Sequence, residues 1–195
     1  MRSHELKKAK RAVRRAIIAR RDAIPPRERR QDGERVVERF LTLEEVAAAR
    51  TVAAFWSFGS EVPTEPLLGA LHARGIRVAL PRIVGEDLAL RSWAPGDPMA
   101  PTSFGAMEPV DGEQVDPREV DVVGTPAVAF DLDGRRVGYG GGYYDRLFAS
   151  TGEALRVGIA FDLQVVDGPL PHGHFDRGVH VIVTPTRVVR VGGAS

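Results

Sequence analysis

The chain has 195 residues, 43% hydrophobic, no Cys, and 27 Lys and Arg against 26 Asp and Glu, which fits a single domain over 1–195 and excludes a disulfide framework, a thiolate zinc site and a Cys nucleophile. No apolar run approaches the ~18 residues of a membrane span, and no signal-type apolar segment follows the basic start, so a soluble cytoplasmic protein with no membrane partner is expected. The net charge of +1 hides an asymmetry: residues 1–39 hold 14 Lys and Arg against 6 Asp and Glu, and a basic arm on an acidic body calls for an anionic partner, whether nucleic acid, a phosphate-bearing ligand or the body itself.

Over 4–22 the spacing predicts a helix. Leu6, Ala9, Val13, Ala16 and Ile17 recur three and four apart as one apolar stripe. Lys7, Lys10 and Arg14 run along another, so their charges project to one side. Pro25 and Pro26 end this helix, and Pro26 suits the first turn of a second one carrying Val36, Val37 and Phe40. A short helical segment over 43–49 completes a basic helical region, 1–49. From Arg50 the texture changes, and 50–190 reads as an α/β body. Residues 51–56 read as a buried strand, and Thr64 starts a helix through Leu67, Leu68 and Leu71 that stops at Gly75. A strand over 76–80 is closed by Pro81, and another runs over 88–93. Residues 94–117 form a long Pro-rich connection, and 121–130 is strand-like around Pro126. A turn over 131–134 leads into a glycine cluster and a helix over about 142–149, followed by strands over 155–160 and 179–184. Continuous apolar strands alternating with helices predict an α/β fold, a mostly parallel sheet flanked by helices.

The stretch from Arg136 through Val137, Gly138, Tyr139, Gly140, Gly141, Gly142, Tyr143 and Tyr144 to Asp145 and Arg146 is the most informative. Glycines just before a helix let successive N–H groups face one point at its positive end, which suits an anion. The stretch is not a P-loop, since the Gly-Lys-Ser/Thr ending is missing, and Tyr143 breaks the dinucleotide fingerprint. The same glycines could also serve only as a turn. Asp145 could complement the helix dipole or hold Mg²⁺ beside bound phosphates. The Lys7, Lys8, Lys10, Arg11 and Arg14 face is either solvated or a phosphate clamp; no aromatic interleaving supports nucleic-acid contact there. After the first predicted strand, Trp56 and Glu61 could hold a flat heterocycle, with the carboxylate accepting two N–H groups, or could be a core residue and a solvated loop acid. His172 and His174 have metal-like spacing but flank a Pro-bounded loop, and Asp131 with Asp133 reads as a turn, not a calcium loop. The Ser and His residues form no triad.

Taken together these segments resemble the 5-formyltetrahydrofolate cyclo-ligase family, also called methenyltetrahydrofolate synthetase. The resemblance runs nearly end to end. It covers 10–14 in the first helix; Ser57, Glu61 and Thr64; Leu80-Pro81-Arg82; Phe104-Gly105 with Glu108-Pro109; 126–131; the specific motif 136–146; and Asp176 with Thr184. It implies an ATP- and Mg²⁺-dependent closure of 5-formyltetrahydrofolate to 5,10-methenyltetrahydrofolate through an iminium phosphate, releasing ADP and phosphate. Such a transfer asks for positioning and charge neutralisation, not a covalent nucleophile. By this resemblance Lys10 and Arg14 contact the phosphates, and 136–144 cradles them and borders the folate, with Arg136 and Tyr143 assisting the chemistry. Trp56 and Glu61, with 139–143, hold the pteridine; Asp145 and Asp176 hold Mg²⁺. A monomer with no nucleic-acid partner is expected. The chain departs from the pattern at His180, where an acid is expected, and at Gly141, where some members carry Lys. Two alternatives remain: a nucleic-acid-binding protein using the basic helix, and an ATP-independent sugar-phosphate or CoA-ester enzyme on a similar sheet.

Overall fold

The computed structural model describes residues 3–192, so both ends of the expected 1–195 domain lie outside the described residues. Helix α1 spans Ser3–Asp22, α2 spans Pro26–Leu41 with Pro26 at its first position, and α3 is the single turn Glu44–Ala47. Strand β1 (Thr51–Ala53) is followed by α4 (Glu65–Ala73), then β2 (Arg77–Val84) and β3 (Asp87–Trp93). Next come β4 (Met99–Pro101), β5 (Met107–Pro109), β6 (Gln114–Val115), β7 (Val122–Thr125), β8 (Ala129–Asp131) and β9 (Arg136–Val137). Helix α5 (Tyr143–Ser150) precedes β10 (Leu155–Ile159), β11 (Val165–Val166), β12 (Val181–Val183) and β13 (Val188–Arg190).

The main sheet has eight strands in the order β13-β12-β10-β7-β1-β2-β3-β6. Its centre, from β12 to β2, is parallel, and antiparallel strands close both edges. Helices α2 and α4 bury Val36, Phe40, Leu67, Leu68 and Leu71 against one face of this sheet, each side chain contributing about 1.5–3 kcal/mol. Helix α5 covers the other face with Leu147 and Phe148. From β1 the chain builds to one side through β2, β3 and β6, then returns to β7 and builds to the other. The switch point therefore lies between β1 and β7, where open α/β sheets gather ligands at the carboxyl ends of their strands.

Several expectations are corrected. The predicted strand over 76–80 does not stop at Pro81 but runs on to Val84, paired with β3. Pro81 shares its backbone orientation with Arg77, whose N–H bonds Arg50 of the chain leading into β1, and with Ile83, whose N–H bonds the Glu108 carboxylate. Pairing with β1 has ended by then, so the missing Pro81 N–H leaves no gap in the β1–β2 ladder. The Pro-rich connection contains a small hairpin, β4 with β5. The strand-like segment around Pro126 is two strands in different sheets: β7 enters the main sheet, and β8 joins β9 and β11 in a three-stranded one. On α1, Ile17 is buried and Val13 partly so, but Ala16 faces solvent, because the stripe packs against the narrow second sheet and Leu163 and Leu170 beside it.

Gly158 in β10 lies under the fully buried ring of Phe130: a Cβ there would stand 2.6 Å from the ring. Gly158→Ala should therefore cost about 1–3 kcal/mol by overpacking, at roughly 2–4 °C of melting temperature per kcal/mol for a chain of this size. A thermal unfolding curve unchanged from the parent would refute this packing.

Candidate active site

A cleft of about 790 Å³ opens over the switch point. Phe55, Trp56 and Glu61 reach it from the loop after β1, Pro126 from the end of β7, and the glycine stretch from the β9–α5 connection. Helix α1 lies across it, anchored by Ile17 on Val128, Ala129 and Val137. Lys7, Lys10, Arg11 and Arg14 all face the cleft.

At one end the glycine loop is shaped for close approach. Gly140 (φ +116°) and Gly142 (φ +68°) are left-handed, which side chains resist. Gly142 caps α5, whose positive end therefore opens on the cleft. Arg14 Nε donates to the Gly138 carbonyl at 2.6 Å, and Arg146 Nη2 to that of Gly141 at 3.0 Å. Two arginines thus hold loop carbonyls, while the N–H groups of Gly140, Gly141 and Gly142 donate to no protein acceptor among the described residues. Burial, and then the neighbouring Arg11, lowers the pKa of Arg14 from its ordinary value.

Two carboxylates stand beside this loop. Asp145 Oδ1 accepts from Arg136 Nη2 at 2.6 Å and from the Arg177 N–H at 2.9 Å. Asp176 Oδ2 accepts from Lys10 Nζ at 2.5 Å and from the Gly173 N–H at 2.6 Å. Burial would raise Asp176, but its bonds from Lys10 and Gly173 outweigh that and hold it below the usual carboxylate range. Arg136 is buried, stacked 5.1 Å from the Phe148 ring, and its pKa is lowered by desolvation against the pull of Asp145. Each carboxylate uses one oxygen on these cations and keeps the other free of protein donors. No three His, Asp or Glu side chains converge among the described residues. The pair therefore suits Mg²⁺, which needs only one or two carboxylates plus phosphate oxygens and water; it does not suit an all-protein metal cage.

The other end is aromatic and carries Glu61, which is 5% exposed. Glu61 Oε1 accepts from the Tyr139 hydroxyl at 2.8 Å and Oε2 from the Phe58 N–H at 2.9 Å. Burial pushes the Glu61 carboxyl above its ordinary range, opposed by Phe58, Tyr139 and Arg21. Tyr139 is raised by burial and then by Glu61, so it stays protonated and donates. Tyr144, half-buried at the cleft wall, is raised in the same way, by burial first. The loop is braced by Thr64, whose hydroxyl accepts from Ser57 N at 2.9 Å and donates to Phe55 O at 2.6 Å. Trp56 meets Trp93 edge-on at 5.9 Å, and Phe58 packs between Phe104 and Tyr139 at 5.8 and 5.2 Å.

The structure thus brings Lys10, Arg14, Trp56, Glu61, Arg136, Gly138, Tyr139, Gly140, Gly141, Gly142, Tyr143, Tyr144, Asp145 and Asp176 to one cleft. Val137 is the exception among the expected site residues. Its side chain is buried beside Ile17 and Leu170, and its carbonyl accepts from Val128 N, so it supports the loop from behind. His172 and His174 lie in an exposed loop. His180 takes a structural contact outside the cleft, its Nδ1 accepting from Arg156 N at 3.1 Å. Asp131 builds the expected turn and also accepts from Leu170 N at 2.8 Å. Sequence reasoning missed Phe58, Phe104 and Arg21. The first two sit on loops with no periodicity to mark them, and Arg21 lies in the cationic background of α1.

These features define a class: an α/β protein that brings a glycine loop with open N–H groups, under a basic helix, together with a carboxylate-bearing aromatic subsite. The model of the 5-formyltetrahydrofolate cyclo-ligase family matches residues 6–185. The 5-formyltetrahydrofolate cyclo-ligase of Escherichia coli K12 is 35% identical over 179 residues, covering 88% of this chain and 98% of that protein. The Haemophilus influenzae cyclo-ligase is 34% identical over 153 residues, covering 75% and 81%. The solved structure of Aquifex aeolicus 5,10-methenyltetrahydrofolate synthetase superposes with a TM-score of 0.84 at 34% identity, covering 95% of this chain and 94% of that one. The chain belongs to the 5-formyltetrahydrofolate cyclo-ligase family, a family of enzymes.

Proposed function

We propose that this protein closes 5-formyltetrahydrofolate to 5,10-methenyltetrahydrofolate, coupled to conversion of MgATP to ADP and phosphate. The observation that carries the reading is one cleft holding both an N–H-lined glycine loop flanked by cations and a buried carboxylate among aromatic rings. ATP, when bound, supplies the phosphoryl group that makes the formyl oxygen a leaving group, and Mg²⁺ spreads its charge. The chain's own work is placement. Lys10, Arg14 and the 140–142 amides hold phosphate oxygens, and Asp145 and Asp176 offer their free oxygens to the metal. Arg136 keeps Asp145 in place, the Tyr143 backbone N–H at the start of α5 extends the cradle, and Trp56 and Glu61 orient the pteridine. Holding the formyl oxygen in line with the transferred group replaces any need for a nucleophilic side chain.

The cleft-facing direction of Lys7, Lys10, Arg11 and Arg14 weighs against a nucleic-acid surface, and a buried carboxylate with open acceptor positions among aromatic rings favours the N–H edge of a heterocycle. No described helix is long and apolar enough to cross a membrane. Incubation with 5-formyltetrahydrofolate and MgATP should produce the absorbance of the conjugated amidinium product, and omission of nucleotide or addition of EDTA should abolish it. Full turnover in either control would overturn the assignment.

A further inference from the structure

Arg21, in the last turn of α1, is 3% exposed. A buried guanidinium is costly unless its donors and its charge are answered. Two hydroxyls answer it. Arg21 Nε donates to Ser60 Oγ at 3.0 Å, and Ser60 in turn donates to Asp22. Arg21 Nη2 donates to the Tyr139 hydroxyl at 2.8 Å, and Tyr139 in turn donates to Glu61 at 2.8 Å. Both hydroxyls therefore point their protons one way, from the arginine towards a carboxylate. The remaining nitrogen, Nη1, is buried and has no hydrogen-bond partner among the described residues.

We propose that Arg21 is the positioning residue of the heterocycle subsite, fixing the Glu61 carboxylate through Tyr139 and supplying its countercharge. The inference rests on the folate reading of that subsite. With one protein donor on each Glu61 oxygen, two lone pairs stay available for the paired N–H groups of a pteridine edge. The charged and titratable groups facing Glu61 are Arg21 from α1, Tyr139 from the glycine loop and Tyr144 from α5, with Asp22 behind Ser60. Arg21 is the cation among them, and it pulls the Glu61 pKa down against burial. The same helix carries Arg14 two turns and Lys10 three turns before Arg21, so α1 serves both ends of the cleft.

The test measures both KM values and the pH profile of kcat/KM for folate on the full chain. Arg21→Met should raise the folate KM by roughly tenfold, the scale of a single hydrogen bond to a charged group, and leave the ATP KM unchanged. Its low-pH limb should move to higher pH, because Glu61 without its cation takes a proton earlier as pH falls. In a Glu61→Gln background the same substitution should add nothing, since its route runs through that carboxylate. An equal rise in both KM values, an unmoved pH limb, or an undiminished effect in the Glu61→Gln background would overturn the proposal. Glu61→Gln alone separates the two readings: if it leaves the folate KM unchanged, the folate reading of the subsite falls with it. Should Arg21→Met fail to fold, Tyr139→Phe removes only the relaying hydroxyl, and an unchanged folate KM in that variant overturns the proposal.

Discussion

Gly140→Val is expected to reduce ATP affinity by roughly two orders of magnitude or more while the protein remains folded. Two independent effects combine. The backbone at Gly140 has φ +116°, where a branched residue costs about 1–3 kcal/mol, so the loop will relax to another conformation. A Cβ in the present conformation would also stand 3.4 Å from Arg14 Nη2, and the two methyl groups beyond it would displace that guanidinium. Displacing a charge-assisted hydrogen bond from phosphate costs about 1.5–3 kcal/mol, tenfold or more by itself. Because the loop is exposed at Gly140 and Gly141, the stability loss should stay near the backbone strain alone, about 2–4 °C per kcal/mol. A glycine stretch that merely connects β9 to α5 predicts the opposite: lower melting temperature with normal ATP binding per folded molecule. Nucleotide titration and thermal unfolding on one preparation separate the two. Gly141 tests something else, since its φ is ordinary and a Cβ there would strike the Tyr143 ring at 2.6 Å.

The double substitution Lys10→Ala with Arg14→Ala should weaken ATP binding by about two to four orders of magnitude, from two phosphate bonds of roughly 1.5–3 kcal/mol each. Both residues are only partly buried, and the buried anchor of α1 is Ile17 on the second sheet, so no core cavity results. The substitution also frees Asp176 from Lys10 and the Gly138 carbonyl from Arg14. Asp176 should then titrate closer to its ordinary range, because the bond that lowers it most is gone. Near-parental ATP affinity in the double variant would mean that this face of α1 is solvated rather than functional. Each single variant should show roughly half of the free-energy loss unless the two side chains share one phosphate group.

Much of the architecture was legible from the sequence, because local rules govern it. The 3.6-residue periodicity of α1 and α2, the Pro at the start of α2, and the apolar runs at β10 (broken only by Arg156) and β12 are local signals. They led correctly to helices and to a largely parallel sheet. The same holds for the glycine stretch, where backbone freedom is written in the residue type itself. Errors fell where pairing across the chain overrides local preference. Pro81 stays in a strand because pairing with β1 ends before it, and 121–130 splits because Pro126 lies where the chain passes from one sheet to another.

By itself the sequence determined the helical arm, the α/β class, the anion-suited loop before α5 and the family resemblance, since each depends on residue identity at short spacing. Only the tertiary structure decided which charges face the cleft and which are answered by partners. Glu61 and Tyr139 are 78 residues apart, and Lys10 and Asp176 are 166 apart. Nothing local distinguishes Arg21, which is buried and linked to Glu61 through Tyr139, from exposed Arg20 beside it. Hydrogen bonding and desolvation act through space at about 3 Å, so the roles of these groups exist only once β1, the glycine loop and α1 have been brought to the same switch point.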